Sequence, residues 1–330
     1  MNYTLKNLDI VRNRILRHPE YSDKLRSELE KSLRINALGH SLRLEGIGEE
    51  INSPSKSNML IKQQRKAYHE AFANAIRTND YLDKYGLNLA TFASLGNIIE
   101  PKTHPTKYFR SREVMFGEFG GVESEKIPYH LENLIYKIEH SEKLHPVLNA
   151  IDAHIDFIRI HPYFDGNGRT ARILQDYILW KSGYPSPIIY EGERELYIDL
   201  MKFTMRDRLK GISDISNPSD SEKLLHTFIS TKTLDSALEI EKKLKEKRIF
   251  KIILKNTSDP AICFTIANKI RNQHIKNEHN GTTVKITRKC PLKKQKELKI
   301  LGDISSEELK LILDNYKSKG FSDYEIKPIK

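Results

Sequence analysis

His161-Pro162-Tyr163-Phe164-Asp165-Gly166-Asn167-Gly168-Arg169-Thr170-Ala171-Arg172 is the stretch on which the reading of this chain turns. Just before it, Ile155, Ile158 and Ile160 are spaced as on a helix that runs into the string. Pro162 disfavours helical backbone at His161, so the helix stops there. Gly166 and Gly168 permit left-handed backbone and close approach of a ligand. A second helix is expected from about Gly168 through the apolar run 170–180, with Gly183-Tyr184-Pro185 as its stop. Successive N–H groups in such a turn, leading into a helix N-terminus, form an anion pocket. Arg169 and Arg172 lie three apart, so both guanidinium groups are expected to face that pocket. Asp165 offers the hard oxygen that Mg2+ on a phosphate requires. His161 can accept a proton near neutral pH. One loop thus carries a base, a metal ligand, an anion nest and two arginines, which are the parts for nucleotidyl transfer. A zinc site from His154, His161 and Asp165 is the weaker alternative, because His154 stands two turns earlier on one helix. The pattern G-x-x-x-x-G-K-[ST] is absent. His104 and His145 also precede prolines, and nothing around them marks them as functional.

Working outward, the region before 248 reads as mostly helical. Leu25, Leu29, Leu33, Leu38 and Leu42 recur at near-helical intervals and end at Gly46. Further helices are expected over 62–76, 91–99, 128–139, 147–160, 194–208 and 221–247. Between them, Val114-Met115-Phe116-Gly117 with Gly120-Gly121 predicts a hairpin within 110–122. The pattern changes near 248. Strands are expected over 249–254, 282–287, 297–301 and 323–329, with helices over 260–275 and from Ser305 onward. That order, β-α-β-β-α-β, is the ferredoxin-like split βαβ arrangement. The expected organisation is an N-terminal region over 1–60, a catalytic domain over 61–247 and a basic α+β accessory domain over 248–330.

The 330 residues carry a net charge of +11. Residues 221–330 hold 24 Lys/Arg against 14 Asp/Glu, which leaves 31 against 30 for residues 1–220. A basic terminal module bound to nucleic acid or another polyanion is one reading, and a lysine-covered solvated surface is the other. Neither a zinc finger nor aromatic interleaving near 293–299 accompanies the lysines. Two cysteines, Cys263 and Cys290, exclude a disulfide scaffold and a four-cysteine zinc site. No stretch approaches the ~18 apolar residues of a membrane span. Met1 to Ile10 carries no basic-then-apolar signal pattern. A cytoplasmic protein without membrane contact is the expectation.

The string closely resembles the Fic family pattern H-P-F-x-D/E-G-N-G-R-x-x-R, matching at His161, Pro162, Asp165, Gly166, Asn167, Gly168, Arg169 and Arg172 and departing at Tyr163. The resemblance, over about 20–247, implies a mostly helical Fic fold with a β-hairpin flap. It also implies transfer of AMP from ATP to a Ser, Thr or Tyr hydroxyl of a protein not named by the sequence, and to the enzyme itself. In that scheme His161 is the base, and Asp165 holds Mg2+ on the phosphates. Gly166, Asn167, Gly168, Arg169, Thr170, Ala171 and Arg172 surround the nucleotide. Ser41-Leu42-Arg43-Leu44-Glu45-Gly46 resembles the family's inhibitory motif, placed N-terminally. Its implied role is to pair Glu45, with Ser41 nearby, to Arg172 and withhold that arginine from the γ-phosphate. In some relatives the same glutamate orients a water that removes AMP. Phe116, Gly117, Glu118 and Phe119 are similar to flap residues that approach ATP. Tyr197 lies in Arg194-Glu195-Leu196-Tyr197, similar to an adenine-side segment, while Ile198 and Met205 depart from the residues frequent there. Alternatives are transfer of another nucleotide's moiety or a nucleic-acid-binding regulator. A homodimer, or a docking role for 248–330, is also compatible.

Overall fold

The computed structural model describes residues 2–17, 23–47, 58–245, 248–255, 262, 265, 266, 269, 283–287, 295–302, 306–317 and 321–329. The chain divides into two compact units, Met1–Arg17 with Asp23–Ile240, and His18–Ser22 with Glu241–Lys330.

The first unit is helical. It contains α1 (Asn2–Leu16), α2 (Asp23–Leu44), α3 (Asn58–Tyr85), α4 (Leu89–Ile99), α5 (Ile127–Glu139), α6 (Pro146–Ile160), α7 (Asn167–Lys181), α8 (Arg194–Leu209) and most of α9 (Asp220–Lys245). A two-stranded hairpin, β1 (Met115–Phe116) and β2 (Phe119–Gly120), interrupts them. Helix α1 was not among the expected elements. It forms because Leu5, Leu8, Val11 and Ile15 fall on one buried face. It is also tethered by Asp9, whose Oδ1 accepts from His145 Nε2 at 3.1 Å and from the Tyr184 hydroxyl at 2.5 Å. Helix α3 runs nine residues beyond its expected end at 76, because Leu82 is fully buried and continues its apolar face.

Local signals explain the element starts. Asn88 caps α4, its side chain accepting from Thr91 N at 2.8 Å, a contact typically worth ~1 kcal/mol. His145 caps α6 through Nδ1, which accepts from Val147 N at 3.2 Å, so this histidine has a structural task. Helices α6 and α7 form the centre, burying Val147, Ile151, Ile155 and Phe157 against Ile173, Leu174 and Leu179. Arg208 of α8 ties three helices together. It donates to Asp152 of α6 at 2.6 Å and through Nε to Glu222 of α9 at 2.9 Å, all three side chains being buried.

The second unit carries β3 (Arg248–Lys255), β4 (Thr283–Thr287), β5 (Gln295–Gly302), α10 (Ser306–Asp314) and β6 (Asp323–Ile329). The four strands form one antiparallel sheet in the order β4-β5-β3-β6. With α10 after the third strand, this strand order is that of the ferredoxin-like arrangement expected from the sequence. Ile252 and Leu254 of β3 pack on Leu309, Ile312 and Leu313 of α10, with Ile262, Ile266 and Phe321 in the same core. Most of the helix expected over 260–275, and both cysteines, lie outside the described residues. Among the described residues no helix is long and apolar enough to cross a membrane.

Candidate active site

The turn between α6 and α7 is built around left-handed backbone. His161 (φ 51°) is the one described non-glycine residue with positive φ, and Gly166 (φ 83°) follows as the N-cap of α7. Such a conformation costs a non-glycine residue ~1–3 kcal/mol unless its surroundings hold it. Arg110 holds it here. Its buried guanidinium donates through Nε to His161 O at 2.7 Å, through Nη1 to Arg112 O at 2.8 Å, and to Val122 O. One side chain thereby fastens the turn to both ends of the hairpin. Gly121 is required by this packing, since a Cβ there would stand 2.6 Å from the Arg110 guanidinium.

The rest of the turn is closed from within. Asn167 accepts from Tyr163 N at 3.0 Å and donates to Tyr163 O at 2.9 Å. Tyr163 is buried, and its hydroxyl donates to Phe92 O at 2.5 Å, so the departure from Phe is fully satisfied. His104 sits under the turn. Its Nε2 accepts from Phe164 N at 2.8 Å and from Asp165 N at 3.4 Å, and its ring stacks on Phe164. Burial lowers its pKa, which favours the neutral form that accepts these bonds. The expectation that His104 is unremarkable is therefore corrected: it shapes the catalytic-type loop.

The His161 ring lies flat on Phe116, with centroids 4.2 Å apart and planes 2° from parallel. Its Nδ1 donates to Ile158 O at 3.2 Å, which leaves Nε2 as the acceptor. Burial lowers its pKa to about 4, so the imidazole is neutral at pH 7.

Arg172 and Arg169 part company, which corrects the expectation that both face one pocket. Arg172 turns toward the end of α2. Its Nε donates to Ser41 Oγ at 2.7 Å, and its Nη2 donates to Ser41 O at 3.1 Å and to Glu45 Oε1 at 2.6 Å. Arg169 is buried and pairs with Glu100 at 3.1 Å and Asp165 at 3.5 Å. Three residues on an α-helix turn the direction by ~60°, enough to send the two side chains to different neighbours. Glu45 also covers the α7 N-terminus: a Cβ on Gly168 would meet its Oε1 at 2.4 Å. Burial alone would raise the Glu45 pKa, but Arg172, with Arg169 and Arg194 behind it, brings it below the ordinary value. Arg194 donates to Leu44 O at 2.8 Å and so holds the last turn of α2 in place.

These groups border a cleft of about 470 Å³. It is lined by Glu45, the hairpin residues Phe116, Gly117, Glu118 and Phe119, and by His161, Gly168, Arg172 and Tyr197. Nine of the residues singled out from the sequence thus meet in one place. Ile158, Ile198, Met201, Lys202 and Met205 complete the lining. The α8 members form a helical stripe, a signal that periodicity could have supplied. Asp165, Gly166, Asn167, Arg169, Thr170 and Ala171 do not line the cleft. Thr170 and Ala171 are fully buried, and the Thr170 N–H is spent on Gly166 O at 2.9 Å. Tyr197 is buried with its hydroxyl donating to His154 Nε2 at 3.0 Å, while His154 Nδ1 donates to Gln175 Oε1 at 2.7 Å. His154 therefore has both nitrogens committed to protein partners, which removes the zinc alternative. Among the described residues no group of three or more His, Cys, Asp or Glu could hold a metal ion.

A family model described as the Fic/DOC family matches residues 86–179. The chain carries a Fic-type domain over those residues. Proteins named protein adenylyltransferase Fic from Drosophila persimilis and Drosophila melanogaster are 47% identical to it over 64 residues. That match spans 19% of this chain and 13% of theirs. The Fic domain also has solved counterparts. A Fic domain containing signaling protein from Bacteroides thetaiotaomicron aligns with TM-score 0.57 at 20% identity, over 72% of this chain and 97% of its own. Fic-1 from C. elegans aligns with TM-score 0.56 at 17% identity, over 74% and 72%. A Fic family protein from Desulfovibrio desulfuricans G20 aligns with TM-score 0.52 at 16% identity, over 92% and 97%. At these identities the likeness shows the fold alone.

Proposed function

We propose that this chain is an autoinhibited protein adenylyltransferase. The observation that carries the reading is the grip of Ser41 and Glu45 on Arg172, directly over the N-terminus of α7 and beside the neutral His161. An arginine and a helix N-terminus attract the same ligand, a phosphate chain. Glu45 occupies that place with its own carboxylate. With Glu45 withdrawn, Arg172 and the α7 amides receive the β- and γ-phosphates, which aligns the α-phosphate for in-line attack.

The chemistry then follows from the imidazole. Nε2 of His161 takes the proton from an incoming protein hydroxyl. The oxygen attacks the α-phosphorus, a new P–O bond to the protein forms, and the bond between the α-phosphorus and its bridging oxygen breaks. Pyrophosphate leaves. Phe116, stacked on the imidazole, fixes the ring plane for this transfer. The residues fit a magnesium nucleotide: Asp165 is exposed, with one oxygen accepting from Gly166 N at 2.6 Å and hard oxygen capacity left for a cation, and Mg2+ commonly takes one or two carboxylates plus phosphate oxygens. Asp165 would hold Mg2+, which would supply charge neutralisation for the leaving pyrophosphate. The acceptor is a hydroxyl of another protein or of the chain itself. The position of Glu45 beside Gly168 also suits removal of AMP, by orienting a water toward a modified side chain.

The test is transfer of label from ATP carrying 32P at the α-phosphate. Glu45→Gly is expected to raise incorporation into protein, and His161→Ala in that background to abolish it. Equal incorporation with and without Glu45 rejects autoinhibition. Removal of AMP is tested by label loss from modified protein, which must require Glu45 and a divalent metal.

A second reading belongs to the basic unit. Residues 248–330 hold 18 Lys/Arg against 9 Asp/Glu. The strand register puts Lys285 opposite Lys299, Lys299 opposite Lys251, and Lys251 opposite Lys327, one row across all four strands. In register, Lys251 alternates with Ile252 and Leu254, which enter the core. Like charges directly opposite one another destabilise a sheet, so the row favours a polyanion such as a nucleic-acid backbone, with Lys327 tempered by Glu325 at 3.1 Å. Binding of single-stranded RNA that weakens steeply with salt supports it; salt-independent or absent binding rejects it.

A further inference from the structure

A line of buried polar side chains crosses α6, α7 and α8 and ends on Arg172. It starts at Gln175 of α7, passes through His154 of α6 and reaches Tyr197 of α8, all three buried. The transfer scheme uses neither Gln175 nor His154. Buried polar groups are costly unless each is satisfied, and in this line each member settles the direction of the next.

The amide oxygen of Gln175 accepts only, so His154 carries its proton on Nδ1, 2.7 Å away. Burial, with the charge of Arg172 behind it, lowers the His154 pKa to about 4 and keeps the imidazole neutral. Its Nε2 is therefore an acceptor, and it takes the Tyr197 hydroxyl proton at 3.0 Å. Burial raises the Tyr197 pKa, so the phenol keeps that proton. With its one proton committed, the Tyr197 oxygen has only lone pairs left, and it accepts from the Arg172 guanidinium. A hydroxyl whose proton is drawn to an acceptor is itself the better acceptor.

Arg172 is thus held from two sides. Ser41 and Glu45 reach it from α2. Tyr197 reaches it from α8, backed by the core. A guanidinium has five N–H donors, so a hydrogen bond to Tyr197 leaves others for phosphate oxygens. A Cβ on Gly168 would stand 3.4 Å from Arg172 Nη1, so the guanidinium already borders the α7 N-terminus. A long side chain released from Glu45 loses its fixed geometry unless a second partner keeps it, and a group fixed beforehand binds its ligand more tightly.

We propose that His154 is a positioning residue for nucleotide binding: through the Tyr197 hydroxyl it holds the Arg172 guanidinium at the α7 N-terminus once the α2 contacts are gone, and Gln175 sets the tautomer that makes this possible. The ligand group it serves is the β,γ-diphosphate of a nucleoside triphosphate. This deepens the autoinhibited-transferase reading and rests on its placement of those phosphates at Arg172.

The experiment compares ATP with AMP, which lacks the β- and γ-phosphates. Kd values for both are measured by ligand-observed NMR, with Mg2+, on the full chain carrying Glu45→Gly and on variants in that background. Tyr197→Phe, which keeps the ring and removes the hydroxyl, is expected to weaken ATP by about ten-fold, the scale of a hydrogen bond to a charged group, and AMP by less than about two-fold. His154→Met is expected to match it. The two together are expected to fall no more than about two-fold beyond either alone, because both cut one line. His154→Gln, whose amide oxygen can take the Tyr197 proton, is expected to bring ATP back within about three-fold of the parent. Melting temperatures identify a variant that has lost its fold, in which case Tyr197→Phe decides alone. Equal weakening of ATP and AMP assigns these residues to packing and overturns the proposal. Losses that multiply in the double variant overturn it too, as does parental ATP affinity in Tyr197→Phe. Failure of the underlying reading has a different signature. The expected Kd pattern with no 32P passed from the ATP α-phosphate to protein leaves the positioning role standing and removes the transferase assignment. Unchanged ATP affinity in Arg172→Ala places the phosphates elsewhere and removes both.

Discussion

The two units of this chain are built from comparably regular elements, yet they disclose function in different ways. In the first, twelve consecutive residues from the end of α6 into α7 bring together an imidazole, glycines and two arginines with different partners. In the second, the feature that points to a ligand is a row of four lysines drawn from four strands, at positions 251, 285, 299 and 327. Strand spacing of ~4.8 Å makes that row ~14 Å long, but along the chain neighbours in the row are up to 76 residues apart. Chemistry concentrated on one turn is legible as a string. Chemistry assembled by register becomes legible once pairing is known.

The largest expected effect that sharpens this contrast is His161→Ala. In the Glu45→Gly background, label transfer is expected to fall by on the order of 10²–10⁴-fold, the usual worth of a positioned acid–base group. The melting temperature of the variant checks that the fold is retained. Replacing Lys251 and Lys299 by Glu is expected to leave that transfer intact while abolishing RNA retention. Transfer lost with those lysines would break the contrast between the units.

Glu45→Gly comes next, with transfer expected to rise by on the order of 5–150-fold, the range of a coupling of ~1–3 kcal/mol between two sites. The neighbouring arginines then divide the first unit itself. Arg172→Ala in the Glu45→Gly background, where that ion pair is already absent, is expected to lower transfer with less change in unfolding free energy than Arg169→Ala causes. Arg169→Ala is expected to cost ~2–4 kcal/mol in urea unfolding, because it strips Glu100 of a buried partner. Equal behaviour of the two variants in both assays would remove the distinction.

The smallest effect concerns pH. A His161 pKa near 4 keeps the imidazole in its accepting form throughout the neutral range. Its protonation removes the base as pH falls through that value, so transfer is expected to be flat between pH 6 and 8 and to decline below about pH 5. A midpoint near 6.5, the value of an unburied histidine, would contradict the burial of this ring.

Much of the fold was written in periodicity. The helices from α4 to α9 and all four strands of the second unit follow from apolar spacing, with ends shifted by a few residues. Helix α1 is less legible, because Leu5, Leu8, Val11 and Ile15 sit among polar residues, and their docking depends on Asp9 reaching His145 and Tyr184, partners 136 and 175 residues away. The candidate site divides the same way. His161, Gly168 and Arg172 are adjacent in sequence, and Glu45 belongs to a short string that gains meaning beside them. His104, Arg110 and Gln175 carried no local signal. Their tasks, holding Asp165 N, His161 O and His154, exist through contacts across 21 to 61 residues. Arg169 misled because spacing gives proximity on a helix, while the ion pair with Glu100 of the α4 C-cap decides direction.

The most direct test of the central claim is a crystal structure of the Glu45→Gly chain with ATP and Mg2+. The triphosphate is expected at the α7 N-terminus, with the Arg172 guanidinium transferred from the Ser41 side to the γ-phosphate and His161 Nε2 facing the α-phosphate. A triphosphate bound away from α7, or Arg172 still turned to Ser41 with nucleotide present, would contradict the account.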